Sequence, residues 1–146
     1  MTRATNFFIS TVKPTADEFL SDLKNIRRGR LAAIVLDHMA EYWWWENKEK
    51  FSELSMLRAE LTKSCLEYSI IRDVSDASKH CLLTRSSAKL SSSEQITRTP
   101  GLFDAPFGWG VFAEAAEVIV TLNDRSSIVF APVVRSVLLM WEDLLR

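Results

Sequence analysis

Residues 117–130 have the sequence EVIVTLNDRSSIVF, and this stretch decides the fold class of the chain. The apolar and β-branched residues at 117–122 and 127–130 are typical of β-strands. Asn123 and Asp124 lie between the two runs, and both residue types favour a tight turn. We therefore predict an antiparallel β-hairpin here. Residues 95–98 (QITR) predict one further short strand.

The sequence on either side of the hairpin predicts helices. Pro132 suits the first position of a last helix, which we expect to run to about Leu145. Before the hairpin, apolar residues recur at helical spacing over residues 14–82. The chain of 146 residues is a natural size for one domain. We predict a single, mostly helical α+β domain over residues 1–146, with its helical part at about 14–82. The loop, the small antiparallel sheet and the C-terminal helix occupy about 83–146.

Four helices are expected before the hairpin. The first begins with a capping box formed by Thr15 and Glu18. It is predicted to end near Gly29, because glycine suits the position after a helix. The other three are expected at residues 30–47, 51–61 and 62–82.

The helix at residues 30–47 is the predicted centre of the fold. Trp44 points away from its main apolar side, so both sides need a cover. We expect that cover to be the sheet or a second chain, and we predict a homodimer through the aromatic surface near Trp44. The expected inward side consists of Leu31, Ile34, Val35, His38, Tyr42 and Trp45, and Met39 and Trp43 widen it.

Composition and charge narrow the class of protein. Apolar residues make up 47% and charged residues 25%, as in ordinary globular proteins. The formal net charge of −1 argues against nucleic acid or a membrane as a partner bound through global charge. The two cysteines, Cys65 and Cys81, fall about 24 Å apart along one predicted helix. That separation is too large for a disulfide, so we expect a reducing, cytoplasmic location.

A polar strip on the fourth predicted helix carries most of the reactive side chains. On a helical wheel, Asp73, His80, Asp76, Arg72 and Lys79 follow one another in that order. The pairs Arg72–Asp76 and Asp76–Lys79 have the spacing of ion pairs that support a helix. The strip therefore has two interpretations: ion pairs that stabilise the helix, or a functional site.

His38 and Glu41 extend the strip to a candidate ligand site. A histidine on an apolar helix side needs a hydrogen-bond partner. His38 is either a buried structural histidine, the first interpretation, or a partner of Asp73 and His80 on the neighbouring helix. Two histidines with carboxylates suffice for a metal ion. No spacing such as H-E-x-x-H is present, however, so neither a metal centre nor a cofactor is predicted. The candidate ligand-binding residues are His38, Glu41, Asp73, Asp76, Lys79 and His80.

Arg72 and His80 resemble the Arg–His pair of HEPN-type ribonucleases, which are all-helical and carry an R-x4-6-H pattern. Seven residues separate the pair here, and the predicted sheet is a second departure from that family. The resemblance implies metal-independent RNA cleavage, with Arg72 and His80 as the candidate catalytic residues. His80 would act as acid or base, and Arg72 would stabilise the phosphate charge.

Two segments also resemble a group of small uncharacterised bacterial proteins. Residues 38–43 (HMAEYW) are similar to the H-x-x-[DE]-[WY] helix of that group. Residues 72–80 (RDVSDASKH) are similar to its RD-x-x-[ND]-x-x-KH helix. A Gly/aromatic loop follows at residues 107–110 (FGWG), and a terminal helix carries Trp141-Glu142. The resemblance implies a shared fold but no activity.

The same resemblance implies that His38, Asp76, Lys79 and His80 belong together. Asp76 stands where asparagine is frequent in the group, so a role that needs an amide does not carry over. Our leading hypothesis is a small cytoplasmic binding or interaction protein rather than an enzyme. The alternatives are the ribonuclease and a metal- or small-molecule-binding domain.

Overall fold

Helix α3 (Ile26–Glu46) lies at the centre of the fold, in a computed structural model that describes residues 1–99 and 116–146. It packs against the helices that precede and follow it and against the last helix of the chain. Asn25 caps its start, because the side-chain oxygen of Asn25 accepts a hydrogen bond from the Arg28 N–H over 3.0 Å. The predicted central helix is therefore present, and it begins earlier than the sequence pattern indicates.

The predicted inward side of α3 is only partly correct. Met39 is buried and Val35 and Tyr42 pack against the core, but three other predicted residues are exposed. Leu31 and Trp45 are 40% and 64% exposed, and His38 is exposed as well. Small side chains let neighbouring helices approach the α3 backbone closely, and this decides which side is covered. The buried residues are Gly29, Ala32, Ala33, Leu36, Asp37, Met39 and Ala40.

Gly29 lies within α3 and does not end a helix, so the predicted break at this residue is wrong. A Cβ atom at Gly29 would lie 3.2 Å from Cε1 of Phe19. Phe19 in turn contacts Phe130, with 5.7 Å between the ring centroids. The glycine is therefore required by close packing, and the chain turns earlier, between Leu20 and Asn25.

The N-terminal segment is helical from Arg3. Helix α1 (Arg3–Phe7) continues through a π-helical turn (Phe8–Val12) into α2 (Lys13–Leu20). Pro14 in a regular α-helix would clash with the carbonyl group four residues earlier, and the wider π turn accommodates its ring. The predicted capping box at Thr15 is not formed, because α2 begins after Val12 without a side-chain cap.

Helices α4 (Leu54–Ser64) and α5 (Glu67–His80) are separated at Cys65 and Leu66, later than predicted. Cys65 has extended backbone angles (φ −144°, ψ 101°), which interrupts the helix. The helical spacing of apolar residues over 62–82 predicts an inward side that begins at Leu66 and ends at Cys81, and both of these residues are exposed. The other residues of this predicted side are buried, namely Ile70, Ile71, Val74 and Ala77.

The described strands form one antiparallel sheet, and they confirm the predicted hairpin and the short strand before it. Val120 of the central strand pairs with Ile96 on one side and Ile128 on the other. In sheet order the strands are β1 (Ile96–Arg98), β2 (Val118–Thr121) and β3 (Ser127–Val129).

Helix α6 (Phe130–Leu144) begins directly after β3, at a residue expected to end the strand. It packs on α3 and α5. The Trp141 indole Nε1–H donates a hydrogen bond to the Leu36 carbonyl of α3 over 3.0 Å. The described residues therefore have the predicted α+β fold, mostly helical with a small antiparallel sheet and a C-terminal helix.

One predicted feature, the Gly/aromatic loop at residues 107–110, lies outside the described residues. Within residues 1–99 and 116–146, no helix combines the length and the apolar character needed to cross a bilayer.

Candidate functional site

A cavity of about 810 Å³ lies between α5, the loop that follows it, the β2–β3 hairpin and α6. We call it the hairpin cavity. We call the apolar part of its lining the apolar wall and the charged part the polar wall, which consists of Glu67, Arg72, Asp73, Arg85, Lys89 and Asp124. The main apolar residues are Ile70, Leu122, Ile128, Val129, Pro132 and Val133.

Arg85 joins the two carboxylates of the polar strip. Its Nη2 atom contacts Oδ1 of Asp73, and its Nη1 atom lies 2.7 Å from Oδ2 of Asp76. The Lys89 backbone N–H donates to the second oxygen of Asp73 over 2.6 Å. We call this arrangement the Arg85 clamp. It fixes the loop after α5 against the helix and gives each oxygen of the buried Asp73 carboxylate one hydrogen-bond donor.

The contacts of the clamp favour the protonated, positively charged form of Arg85. Burial by itself would lower the pKa of Arg85, but the hydrogen bonds to Asp73 and Asp76 outweigh it and raise that pKa.

The sequence interpretation missed Arg85 and Lys89, because both lie in a serine-rich loop without helical or strand periodicity.

Arg72 lies on the wall of the hairpin cavity and is less firmly paired than Arg85. Its Nε atom is 4.0 Å from Oδ2 of Asp76, the oxygen that Arg85 already contacts at 2.7 Å. The same Nε atom is buried and has no hydrogen-bond partner. The expected i,i+4 contact is therefore present but long, and the guanidinium group of Arg72 has capacity for a further acceptor.

Lys79 and His80 occupy the exposed end of α5. The Lys79 Nζ atom lies 3.6 Å from Oδ1 of Asp76, the expected i,i+3 contact. His80 is the last residue of α5, is exposed, and is not among the residues that line the hairpin cavity. The structure therefore places Arg72, Asp73, Asp76 and Lys79 in one network and leaves His80 at its edge.

His38 and Glu41 lie in a different cavity, of about 850 Å³, beside the N-terminal segment. The His38 Nδ1 atom is 3.6 Å from Oε1 of Glu41, and the His38 ring meets the edges of Phe7 and Tyr42. Asp73, by contrast, lines the hairpin cavity. In the part of the chain that the structure describes, no group of three or more His, Cys, Asp or Glu side chains is arranged to hold a metal ion.

A buried acidic residue, Asp37, was missed because it lies on the side of α3 that was expected to face outward. The Tyr68 hydroxyl donates to Oδ1 of Asp37 over 3.0 Å, and Nη2 of Arg58 lies 3.5 Å from both Asp37 oxygens. Burial raises the pKa of Asp37, against the opposing effects of Arg58 and Tyr68. An acidic residue within the apolar run at 32–40 (AAIVLDHMA) was the only signal in the sequence.

The aromatic end of α3 is covered in part by the segment that follows the helix. Trp44 is half-buried, and its indole N–H donates to the Phe51 carbonyl over 2.9 Å. Trp45 is the exposed indole, and the Lys48 Nζ atom lies 3.4 Å from its ring centroid. The exposed aromatic surface is therefore centred on Trp45 rather than on Trp44.

Comparison of the chain with family models, with curated proteins and with solved structures gives no match.

Proposed function

We propose that this protein binds a small molecule with an apolar body, and that the hairpin cavity is the binding site. The proposal depends on one observation. Apolar side chains of the cavity lining are exposed to solvent, and they share the cavity with polar groups that the Arg85 clamp holds in place. Leu66 and Val129 line the cavity and are 74% and 40% exposed. In the same lining, the Arg85 clamp holds the loop after α5 against Asp73.

The dimensions and chemistry of the cavity suit a small molecule. Its volume of about 810 Å³ falls in the range of known ligand sites, about 300–1,000 Å³. Such sites are mostly apolar, with a few polar groups that orient the ligand. Ile128 and Val133 provide apolar surface here, and Arg72 and Lys89 provide polar groups. Because the clamp already holds Asp73 and Arg85 in place, these two groups need no ordering when a ligand binds.

The ribonuclease alternative stays a prediction and has less support. Arg72 and His80 are eight residues apart on α5, which corresponds to about 12 Å along the helix axis. Arg72 lies at the cavity wall and His80 at the exposed helix end. One phosphodiester would have to reach both groups. Incubation with mixed RNA tests this alternative, and cleavage lost in both Arg72→Ala and His80→Ala would favour it over the binding function.

A neutral apolar fluorophore, N-phenyl-1-naphthylamine, tests the proposed function without involving charge. We expect its fluorescence to rise when it binds the wild-type protein, and Ile128→Trp to abolish that rise by filling the cavity. Leu139→Trp is the matched control, because Leu139 is an exposed apolar residue that does not line the cavity. Absence of binding to the wild type, or equal binding by both variants, would refute the proposal.

Two expectations about context belong with this proposal. A cytoplasmic location is supported by the free thiols of Cys65 and Cys81. A bacterial source depends on the resemblance of residues 38–43 and 72–80 to the bacterial group.

A further inference from the structure

We infer that the ligand of the hairpin cavity carries one carboxylate or phosphate group, and that Arg72 binds that group. The inference rests on the proposed function, since it names the chemistry of a ligand for the same cavity. It depends on the charges around Asp76 and on the pairing of each cation at the polar wall.

Charge around Asp76 is not balanced. Its carboxylate is approached by three cationic groups, Arg85 at 2.7 Å, Lys79 at 3.6 Å and Arg72 at 4.0 Å. Asp73 is the only further carboxylate of the clamp, so three cations share two carboxylates at this point of the polar wall. Arg72 and Lys79 are 36% and 39% exposed, so solvent screens part of their charge.

The neighbouring Asp37–Arg58 pair does not change this balance. It adds one charge of each sign, and the two side chains lie 3.5 Å apart. Arg85 divides its two Nη groups between Asp73 and Asp76, and Asp73 also accepts from the Lys89 N–H. Arg72 has the longest contact with Asp76, its Nε lacks an acceptor, and its side chain is 36% exposed, so its guanidinium group has capacity left for an anion.

The other charged groups of the cavity wall direct an anion to Arg72. Asp124, on the hairpin, accepts from the Ser126 N–H over 2.8 Å, and hydrogen bonds from Ser126 lower the pKa of Asp124. That carboxylate stays ionised, attracts the nearby Lys89 ammonium, and repels an anion from its end of the cavity. Glu67 precedes Arg72 by five residues, about 7.5 Å along α5. The carboxylates nearest to Arg72 are those of Asp73 and Asp76, and both are already paired with Arg85. An anionic group beside Arg72 therefore meets less repulsion than one beside Glu67 or Asp124, and its apolar body contacts the lining around Ile70 and Val133.

Four probes that share one alkyl chain test the inference by displacing bound N-phenyl-1-naphthylamine: octanoate, octyl phosphate, octanol and octylamine. We expect octanoate or octyl phosphate to bind about tenfold or more tightly than octanol, because a charge-assisted hydrogen bond has that effect. The ratio of octanoate to octyl phosphate affinity tells the two kinds of anion apart. Octylamine is expected to bind more weakly than octanol.

Variants then assign the effect to one residue. Arg72→Gln should remove the advantage of the anions over octanol, and Arg72→Lys should keep part of it. Arg135→Gln is the matched control, because Arg135 is an exposed cation of α6 that does not line the cavity. The affinity of each variant for the fluorophore is measured first, and thermal unfolding reports that each variant is folded.

The outcomes separate this inference from the proposed function. Octanol or octylamine binding as tightly as the anions would overturn the inference while leaving the apolar cavity as a binding site. An anion preference that survives in Arg72→Gln would overturn the role of Arg72. Failure of the wild type to bind the fluorophore and all four probes would refute the proposed function, and the inference with it.

Discussion

The Tyr68 hydroxyl donates a hydrogen bond to Oδ1 of Asp37 over 3.0 Å, and this contact joins α5 to α3 inside the core. Both residues are buried, and Asp37 is only 1% exposed. Burial raises the pKa of Tyr68, and the nearby Asp37 charge raises it further. Tyr68 therefore stays a hydrogen-bond donor at all ordinary pH values, and the protonation of Asp37 is the variable part of the contact.

The stability of the protein should depend on pH through Asp37. Its ordinary pKa is 3.8, and burial raises that pKa in the folded state. The folded chain therefore holds a proton that the unfolded chain has lost, so the contribution of Asp37 is present below pH 3.8 and is lost as pH rises through the folded pKa. We expect the free energy of unfolding of the wild type, minus that of Asp37→Asn, to fall as pH rises above about 3.8 and through the folded pKa of Asp37.

Urea unfolding at several pH values measures this difference, and Asp124→Asn gives a control of opposite sign. Hydrogen bonds from Ser126 lower the pKa of Asp124, so its contribution is present above pH 3.8 and is lost as pH falls. A difference for Asp37→Asn that rises with pH would contradict the assignment of Asp37 as a carboxylate destabilised by burial.

Removal of the Arg85 clamp should destabilise the fold. Arg85→Ala leaves the buried Asp73 carboxylate without its cation, and we expect a loss of about 1–3 kcal/mol in the free energy of unfolding. Asp73→Asn in the Arg85→Ala background should recover part of that loss. Lys89→Ala is the control, since Lys89 contacts Asp73 through its backbone N–H. Urea unfolding in which Arg85→Ala and Lys89→Ala behave alike would argue against the clamp.

Gly29→Ala should lower stability even though alanine is the better helix former. The new methyl group would lie 3.2 Å from Cε1 of Phe19, a fully buried ring held against Phe130. Overpacking of a core costs about 1–3 kcal/mol, more than the gain of about 0.5–1 kcal/mol expected from replacing glycine in a helix. Thermal unfolding should show that the penalty shrinks in a Phe19→Leu background. An equal penalty in both backgrounds would exclude Phe19 as its source.

Cys81→Gly should stabilise the protein. Cys81 has φ 68° and ψ −52°, and the Leu82 N–H donates to the His80 carbonyl over 2.8 Å across it, which makes a tight γ-turn. A side chain at positive φ costs about 1–2 kcal/mol, which glycine avoids. Cys81→Ala keeps the Cβ atom and should bring no such gain. A melting temperature that is the same for both variants would show that the turn is not strained.

Self-association through the aromatic end of α3 remains a proposal, and it is now centred on Trp45. An indole that is 64% exposed is a favourable contact for a second copy of the chain. Light scattering should then give a mass near twice 16.7 kDa for the wild type and a lower mass for Trp45→Ser. Met56→Ser replaces another exposed apolar residue and should leave the dimer intact. A wild-type monomer at all concentrations would contradict the proposal.

Part of the candidate site could be predicted from the sequence, because helical spacing alone brings Arg72, Asp76 and Lys79 together. The ion pairs at i+3 and i+4 are consequences of 3.6 residues per turn. Arg85 could not be predicted, since its contacts with Asp73 and Asp76 depend on the path of an irregular loop. His38 was grouped with the strip by resemblance, yet it lies in a separate cavity.

By itself, the sequence determined the fold class and the approximate positions of most elements. Helical spacing and the hairpin pattern reflect hydrogen bonds between near neighbours in the chain, and such bonds need no tertiary contact. Tertiary structure alone decided which side of α3 is buried. That choice depends on how closely Phe19 and Phe130, which lie far apart in sequence, approach Gly29. Tertiary structure also placed Asp37 inside the core. The side of α3 with the smallest residues allows the closest packing, and Asp37 lies on that side.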